Sequence, residues 1–418
     1  MFSNTFLPMV GGIENSVATF SEDFRKMGHE CMVVTPEMDD AEESTREILR
    51  VPAIRNIGGG AFSLQLPVPG FLSSRMDDFS PDIVHSHHPF LMGDSALRCS
   101  ERLGLPLVLT YHTLWDRYAD SFPCAAIKDI IVRLSVEYAN LCDCVVAPSR
   151  SLADMIASMG VTSPIEVIPT GIEIPLFSNG NRARGRRLLG LGGEAKLAGY
   201  VGRVGPEKNL AWLSGAAAKW CLADDSARFA VVGPSDAYGP TLRGAFEKTC
   251  AGERLILPGA FRGRDLADVY AALDVFTFAS LSDTQGIVLA EAMAAGLPIV
   301  ALDAPGAREA VSDGTNGFLL PTQTSQDDYA RALSNVFRDG VRLIAIREGS
   351  RLRSASYDRV ITARRVLELY ESLISNPVSS AGRKRDGGLF EKLHGRLKAE
   401  WELMHARVTA TKDALRSR

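Results

Sequence analysis

Residues 280–320 (SLSDTQGIVLAEAMAAGLPIVALDAPGAREAVSDGTNGFLL) admit very few folds. An apolar strand pattern, DVFTFAS, ends at Ala279 and Ser280, and the cap-type residues Ser282, Asp283 and Thr284 follow it. Gly286 opens a helix of small apolar residues that runs to Ala295. Gly296 stands where a left-handed C-cap is needed, and Leu297 to Ala301 is the next buried strand. Backbone N–H groups at residues 284 to 286 are free at such a helix start and form a preset anion site. Asp283 stands just before that site. Glu291 lies within a helix otherwise built of Ala, Val, Leu and Met. A glutamate is rarely buried without a partner, so Glu291 reads either as a solvated face or as a ligand group.

The same alternation runs through the rest of the chain. Met1 to Asn4 reads as the end of a strand, too short for a central one, which suggests a natural start upstream or a truncated strand. The loop containing Gly11 and Gly12 comes next. Ile13, Val17, Phe20, Phe24 and Met27 recur at helical spacing, and Cys31 to Pro36 is a strand. Strand, Gly-Gly loop, helix and strand make a Rossmann-type opening, in which glycines let a phosphate approach the backbone. Residues 37–80 read as irregular and polar, with Phe62, Leu64, Leu66, Val68, Phe71 and Leu72 set among glycines and prolines. Strands follow at 81–85, 105–113, 144–149 and 165–172. A second series runs through 196–204, 229–233, 255–259, 274–279 and 297–303. That is an α/β chain with two Rossmann-like layers.

Composition narrows the class. At 418 residues, two domains are expected, and 46% hydrophobic content with 37 Gly and 21 Pro suits an α/β enzyme. A net charge of −4 gives no global signal for nucleic acid or membrane. The seven cysteines include no C-x-x-C pair, which argues for reduced thiols in a cytoplasmic chain. No apolar run approaches the ~20 residues of a membrane span. His85, His87 and His88 invite a metal reading, but no Cys, His or carboxylate partner stands nearby at ligand spacing, so no metal is expected. Arg182, Arg184, Arg186 and Arg187 lack interleaved aromatics and read as a solvated helix rather than a nucleic-acid patch. Past a polar linker from residue 376, Leu389, Leu393, Leu397, Trp401, Met404 and Val408 form one apolar stripe on a basic helix. A stripe of that kind packs on the body or on a second copy. Interfacial membrane contact is the minority reading.

Four segments share a pattern. Asp283 and Glu291 are separated by seven residues, with T-Q-G between them and E-A-M-A-x-G-x-P after. G-R-V-x-x-E-K-N spans residues 202 to 209; D-I-V-H-x-H leads to L-P-x-V-x-T-Y-H-T; and V-I-P-T-G-I precedes residue 173. Together they resemble the retaining, nucleotide-sugar-dependent glycosyltransferases of family four, nearest to diacylglycerol glucosyltransferase-like members. This chain has Asp283 where the family usually has Glu. The resemblance covers about residues 1–375 and implies the GT-B fold, two Rossmann-like domains facing across a cleft. It implies an acceptor domain at 1–174, a donor domain at 175–358, a crossover helix at 359–375 returning to the first domain, and a tail at 376–418.

The resemblance also assigns roles. Glu291 would accept from the ribose hydroxyls, and Asp283 would bind the hexose 3- and 4-hydroxyls with backbone amides of Thr284, Gln285 and Gly286. Arg203, Lys208 and the loop of Gly11 and Gly12 would hold the diphosphate, and Phe261 and Arg262 would cradle the base. His112 would line the sugar's reacting face and steady positive charge at the anomeric carbon. The donor would be UDP-glucose, with GDP-mannose second, and the acceptor a lipid or glycan hydroxyl. The chain contains no D-x-D, so no metal or other cofactor is expected; cations and amides would stabilise the leaving diphosphate. No carboxylate stands out as a covalent nucleophile, which favours same-face attack through an oxocarbenium-like state. The alternatives are a nucleotide-sugar epimerase or phosphorylase, and a catalytically silent nucleotide-sugar-binding protein. Peripheral contact with the inner membrane face and self-association through the tail are the further partner expectations.

Overall fold

The computed structural model describes residues 1–9, 11–38, 43–54, 64–65, 71–113, 125–192, 195–235, 237–249 and 251–376. The loop residues Phe62, Leu66 and Val68 and the whole stripe from Leu389 to Val408 lie outside them. Two compact units emerge, one from Met1–Pro169 with the chain from Thr362 onward, the other from Thr170–Ile361. Among the described residues, no helix is long and apolar enough to cross a membrane.

The first unit is built on parallel strands β1 (Val33–Pro36), β2 (Ile48–Val51), β5 (Val84–Ser86), β6 (Leu107–Thr110), β7 (Cys144–Ala147) and β8 (Ile165–Val167). A short antiparallel pair, β3 (Ala53–Ile54) and β4 (Leu64–Gln65), stands apart. The first residues close the gap between β1 and β5. Phe2 bridges Val34 on one side and Ser86 on the other, both in parallel sense. The Phe2 amide donates to His85 O at 2.7 Å and the His87 amide to Phe2 O at 2.9 Å, while the Val34 amide donates to Met1 O at 2.8 Å. So brief a strand suffices because both of its edges are paired. The helix Gly12–Lys26 follows and buries Val17, Phe20 and Phe24.

Residues 37–80 are more regular than their sequence suggests, with strand β2 and the helix Phe71–Phe79 inside them. Arg50 concealed the strand by interrupting its apolar run. Its side chain is buried, donates to Leu7 O at 2.6 Å and lies over the Phe6 ring at 5.9 Å. The helix Arg359–Ser375 packs Ala363, Val366, Tyr370 and Leu373 against Phe20, Phe24, Val108 and Val146 of the first unit.

The second unit is a six-stranded parallel sheet of β9 (Lys196–Val201), β10 (Ala227–Val232), β11 (Leu255–Ile256), β12 (Val275–Phe278), β13 (Ile299–Leu302) and β14 (Gly317–Leu320). Its spatial order is β11-β10-β9-β12-β13-β14. Numbered from β9, that is 3-2-1-4-5-6, the doubly wound order whose crevice opens beyond the carboxyl ends of the first and fourth strands. β9 and β12 are therefore the pair that flanks this crevice.

The arginine-rich segment corrects its sequence reading. It forms the helix Arg182–Leu188, but Arg186 is buried and paired with Asp274 at 2.9 Å, and Arg182 reaches the same carboxylate at 2.6 Å. Arg184 pairs with Asp265 and Asp268. Arg186 is thus drawn out of water, whereas Arg182 and Arg184 pair while staying close to half exposed and Arg187 is exposed, so the solvated reading holds for part of the helix. The helix approaches Gly263–Ala272 so closely that a Cβ on Gly185 would sit 1.8 Å from the Asp268 carbonyl oxygen. Gly185→Ala is thus expected to lower unfolding free energy by about 1–3 kcal/mol, measured by urea titration, as overpacking does elsewhere. An unchanged midpoint would mean that the two helices separate freely.

Candidate active site

In the second unit, the chain leaving β9 turns through Gly205 into a single 3-10 turn, Pro206–Lys208, which ends at Asn209 in the left-handed region. Asn209 Nδ2 donates to Ala279 O at 3.2 Å, and Ser282 Oγ donates to Glu207 O at 3.0 Å, so the loops after β9 and β12 are tied together. Across that tie, Lys208 Nζ meets Asp283 Oδ1 at 2.6 Å, with both side chains largely buried. Asp283 Oδ2 is buried and has no partner among the described residues. A carboxylate oxygen held dry and unfilled is a ready acceptor for a ligand hydroxyl. Arg203 pairs with Glu207 at 2.9 Å and remains 73% exposed, a guanidinium still open to an anion.

The loop after β12 turns at Gly286, left-handed at φ 68°, into the helix Ile287–Ala294, whose start no side chain caps. Gly306 (φ 83°) packs under this loop; a Cβ there would lie 3.0 Å from Asp283 O. The side chain of Gln285 is already committed. It accepts from Thr170 N and donates to Thr170 O, both at 2.8 Å. Thr284 precedes Gln285 on the same loop. Glu291 lies on the helix, where Tyr270 Oη donates to Glu291 Oε2 at 2.5 Å. Burial pushes this carboxyl up to about 7, against the opposing pull of the Tyr270 hydrogen bond. Tyr270 belongs to Gly263–Ala272, which Arg262 enters in extended conformation and beside which Phe261 packs on the core. Phe261 and Arg262 thus begin the helix that fixes Glu291. Tyr270 was not singled out in the sequence, where it reads as one more core position.

The first unit carries its own cluster at the carboxyl ends of β5 and β6. His112 follows β6, and its Nε2 lies 2.9 Å from Nδ1 of His87, which follows β5. His85, on β5, is held by Thr110 Oγ1 at 2.7 Å and by the Tyr370 hydroxyl. Burial lowers His88 to about 4 and His112 to about 3, and keeps His85 and His87 well below the ordinary imidazole range, so the cluster is neutral. Among the described residues no set of three His, Cys, Asp or Glu side chains has metal-holding geometry. At the Gly-Gly loop, Glu14 is buried and folds back so that its Oε2 would sit 2.4 Å from a Cβ on Gly11. A carboxylate thus already occupies the first turn of the helix that begins at Gly12.

The two units match two sequence families in turn. Residues 10–174 match Glycosyltransferase Family 4, and residues 195–339 match Glycosyl transferases group 1. This chain is a glycosyltransferase with a family-four domain and a group 1 domain. It is similar to a GDP-mannose-dependent alpha-mannosyltransferase of Mycobacterium tuberculosis, at 29% identity over 81% of this chain and 88% of that protein. It is also similar to an alpha-monoglucosyldiacylglycerol synthase of Acholeplasma laidlawii, at 24% identity over 92% of this chain and 99% of the other. Its fold is GT-B, shared with Anabaena HepE solved in complex with UDP (TM-score 0.72, 20% identity, covering 89% and 99% of the two chains).

Glu291 gives a testable consequence. Its folded-state value of about 7 lies above its ordinary 4.5, so the native state keeps a proton that the unfolded chain releases between those values. Stability is therefore fullest below pH 4.5 on this account and falls as pH rises to about 7, by on the order of 3 kcal/mol. Glu291→Gln abolishes the titration. Thermal unfolding at pH 8 is expected to show the variant more stable than the native protein, with the difference shrinking by pH 5. Equal melting temperatures at pH 8 would show that the carboxylate is not strained.

Proposed function

We propose that this glycosyltransferase moves a hexosyl group from a nucleoside-diphosphate hexose to a lipid or glycan hydroxyl with retention at the anomeric carbon, without a metal. The observation that carries the reading is the Lys208–Asp283 pair at the β9/β12 crevice, beside an uncapped helix start and followed on that helix by Glu291. On this reading Asp283 accepts a hexose hydroxyl through Oδ2, and the amides of Thr284, Gln285 and Gly286 lie next to it. Glu291, oriented by Tyr270, accepts from the ribose. Lys208 and Arg203 offset charge building on the leaving diphosphate, as preorganised cations do. Phe261 and Arg262 face the base, and the Gly11–Gly12 loop approaches the phosphates once Glu14 gives way. His112 faces the sugar. With no carboxylate assigned as nucleophile, attack from the face that the diphosphate leaves accounts for retention. UDP-glucose is the first donor to test. The mannosyltransferase likeness makes GDP-mannose the second.

The test is a transfer assay on the full chain with labelled UDP-glucose and GDP-mannose, offering diacylglycerol vesicles and soluble glycosides, with and without EDTA. Transfer is expected in the presence of EDTA. Lys208→Ala and Arg203→Ala are each expected to lose about 2–4 kcal/mol of transition-state stabilisation in kcat/KM. Activity within about threefold of native in both variants would remove the diphosphate assignment. Loss in EDTA restored only by manganese or magnesium would remove the metal-free reading.

A further inference from the structure

His87 is 2% exposed. Its ring lies face to face with His85, with centroids 4.3 Å apart and planes 30° from parallel. Towards His112 the geometry differs. The planes are 20° apart and the centroids 5.2 Å apart, which matches the 2.9 Å N···N contact plus the two ring radii. The rings meet edge to edge through one shared proton. His85 cannot shift to release that contact, because Thr110 and Tyr370 occupy both of its nitrogens.

The shared proton has two possible homes. If it sits on His112 Nε2, then His87 must carry its own proton on Nε2, which is buried and has no partner among the described residues. That leaves an orphaned N–H donor, the rarest kind of buried polar defect. If the proton sits on His87 Nδ1, the unfilled group is only a lone pair. The second arrangement places the proton of neutral His112 on Nδ1, since its Nε2 is accepting.

We propose that His87 is a positioning residue, which donates Nδ1–H to His112 Nε2 and so holds His112 in the Nδ1–H tautomer. His112 then presents an N–H donor, not a basic lone pair, to whatever sugar oxygen it meets. This deepens the sugar-facing role proposed above for His112 and rests on it only where activity is read. The ring that faces the sugar is thereby barred from acting as a general base on the acceptor hydroxyl.

The experiment is long-range proton–nitrogen correlation on the full chain labelled with nitrogen-15 histidine, His112 being assigned by the signals lost in His112→Gln. The expected spectrum has His112 Nδ1 protonated and Nε2 bare. Protonated Nε2 in the native protein overturns the proposal outright, whatever any variant does. His87→Phe removes the donor and is expected to move the His112 proton to Nε2, whereas His87→Asn, with an amide placed near the lost Nδ1, retains the native pattern. An unchanged pattern in His87→Phe also overturns it. In the transfer assay, His87→Phe is expected to lower kcat roughly tenfold or more while donor KM stays within about threefold, and His87→Asn to recover most of the loss. If no donor supports transfer, the sugar-facing reading of His112 falls, and the tautomer assignment still stands or falls on the spectrum.

Discussion

Everything chemical in the second unit depends on β9 and β12 lying side by side in parallel. In the doubly wound order, the connections from these two strands leave towards opposite sides, and only there do the carboxyl ends open a crevice. Each strand then needs only a short loop to bring a charge to its neighbour: three residues of 3-10 turn deliver Lys208, and the loop after Phe278 delivers Asp283. The pair is largely dry, which makes its geometry demanding. Removing two ions from water is repaid only when contact is close, as the 2.6 Å separation provides. Asp283 Oδ2 is buried without a donor among the described residues, an arrangement that costs about 1–3 kcal/mol. A ligand hydroxyl would relieve it.

Glu291 follows the same logic by another route. Its helix is otherwise a packing element, with Leu289, Ala290, Ala292 and Met293 buried, and a single carboxylate is admitted because Tyr270 donates to it. The first unit solves a similar problem without charge. Its histidines are desolvated to neutrality, and the ring at the end of β6 is contacted by His87, which stacks on the His85 ring that Thr110 and Tyr370 hold.

The parts of this architecture that sequence discloses are those built by neighbours in the chain. Gly286 and Gly296 bracket a helix, and the apolar runs of β9, β12 and β13 are unmistakable, so Asp283, Lys208 and Glu291 could be named from spacing and resemblance alone. Partners distant in sequence were invisible. Tyr270 is twenty-one residues from Glu291 and Tyr370 is 285 from His85, and each sits in a helix whose pattern is satisfied by treating it as core. Gln285 stood among donor-loop residues, yet its side chain serves Thr170, because a primary amide can pair with both backbone groups of one residue. The arginine helix misled for the converse reason. Pattern reading sends charge to water, whereas Asp268 and Asp274 are largely buried and draw Arg184 and Arg186 towards them.

The path of the chain fixes an order of completion. The helix Arg359–Ser375 supplies Ala363, Val366 and Leu373 to the first unit's core and the hydroxyl that holds His85. On the ribosome, residues 170–361 emerge as one uninterrupted block and can close their sheet without waiting. The unit that is synthesised first holds all its strands early but lacks the helix that completes its core. Its apolar surface around Phe20, Phe24 and Val108 stays uncovered until nearly the whole chain has been made. The half of the enzyme that is born first is therefore the half that matures last, and it is the half that must be shielded from premature association in the meantime.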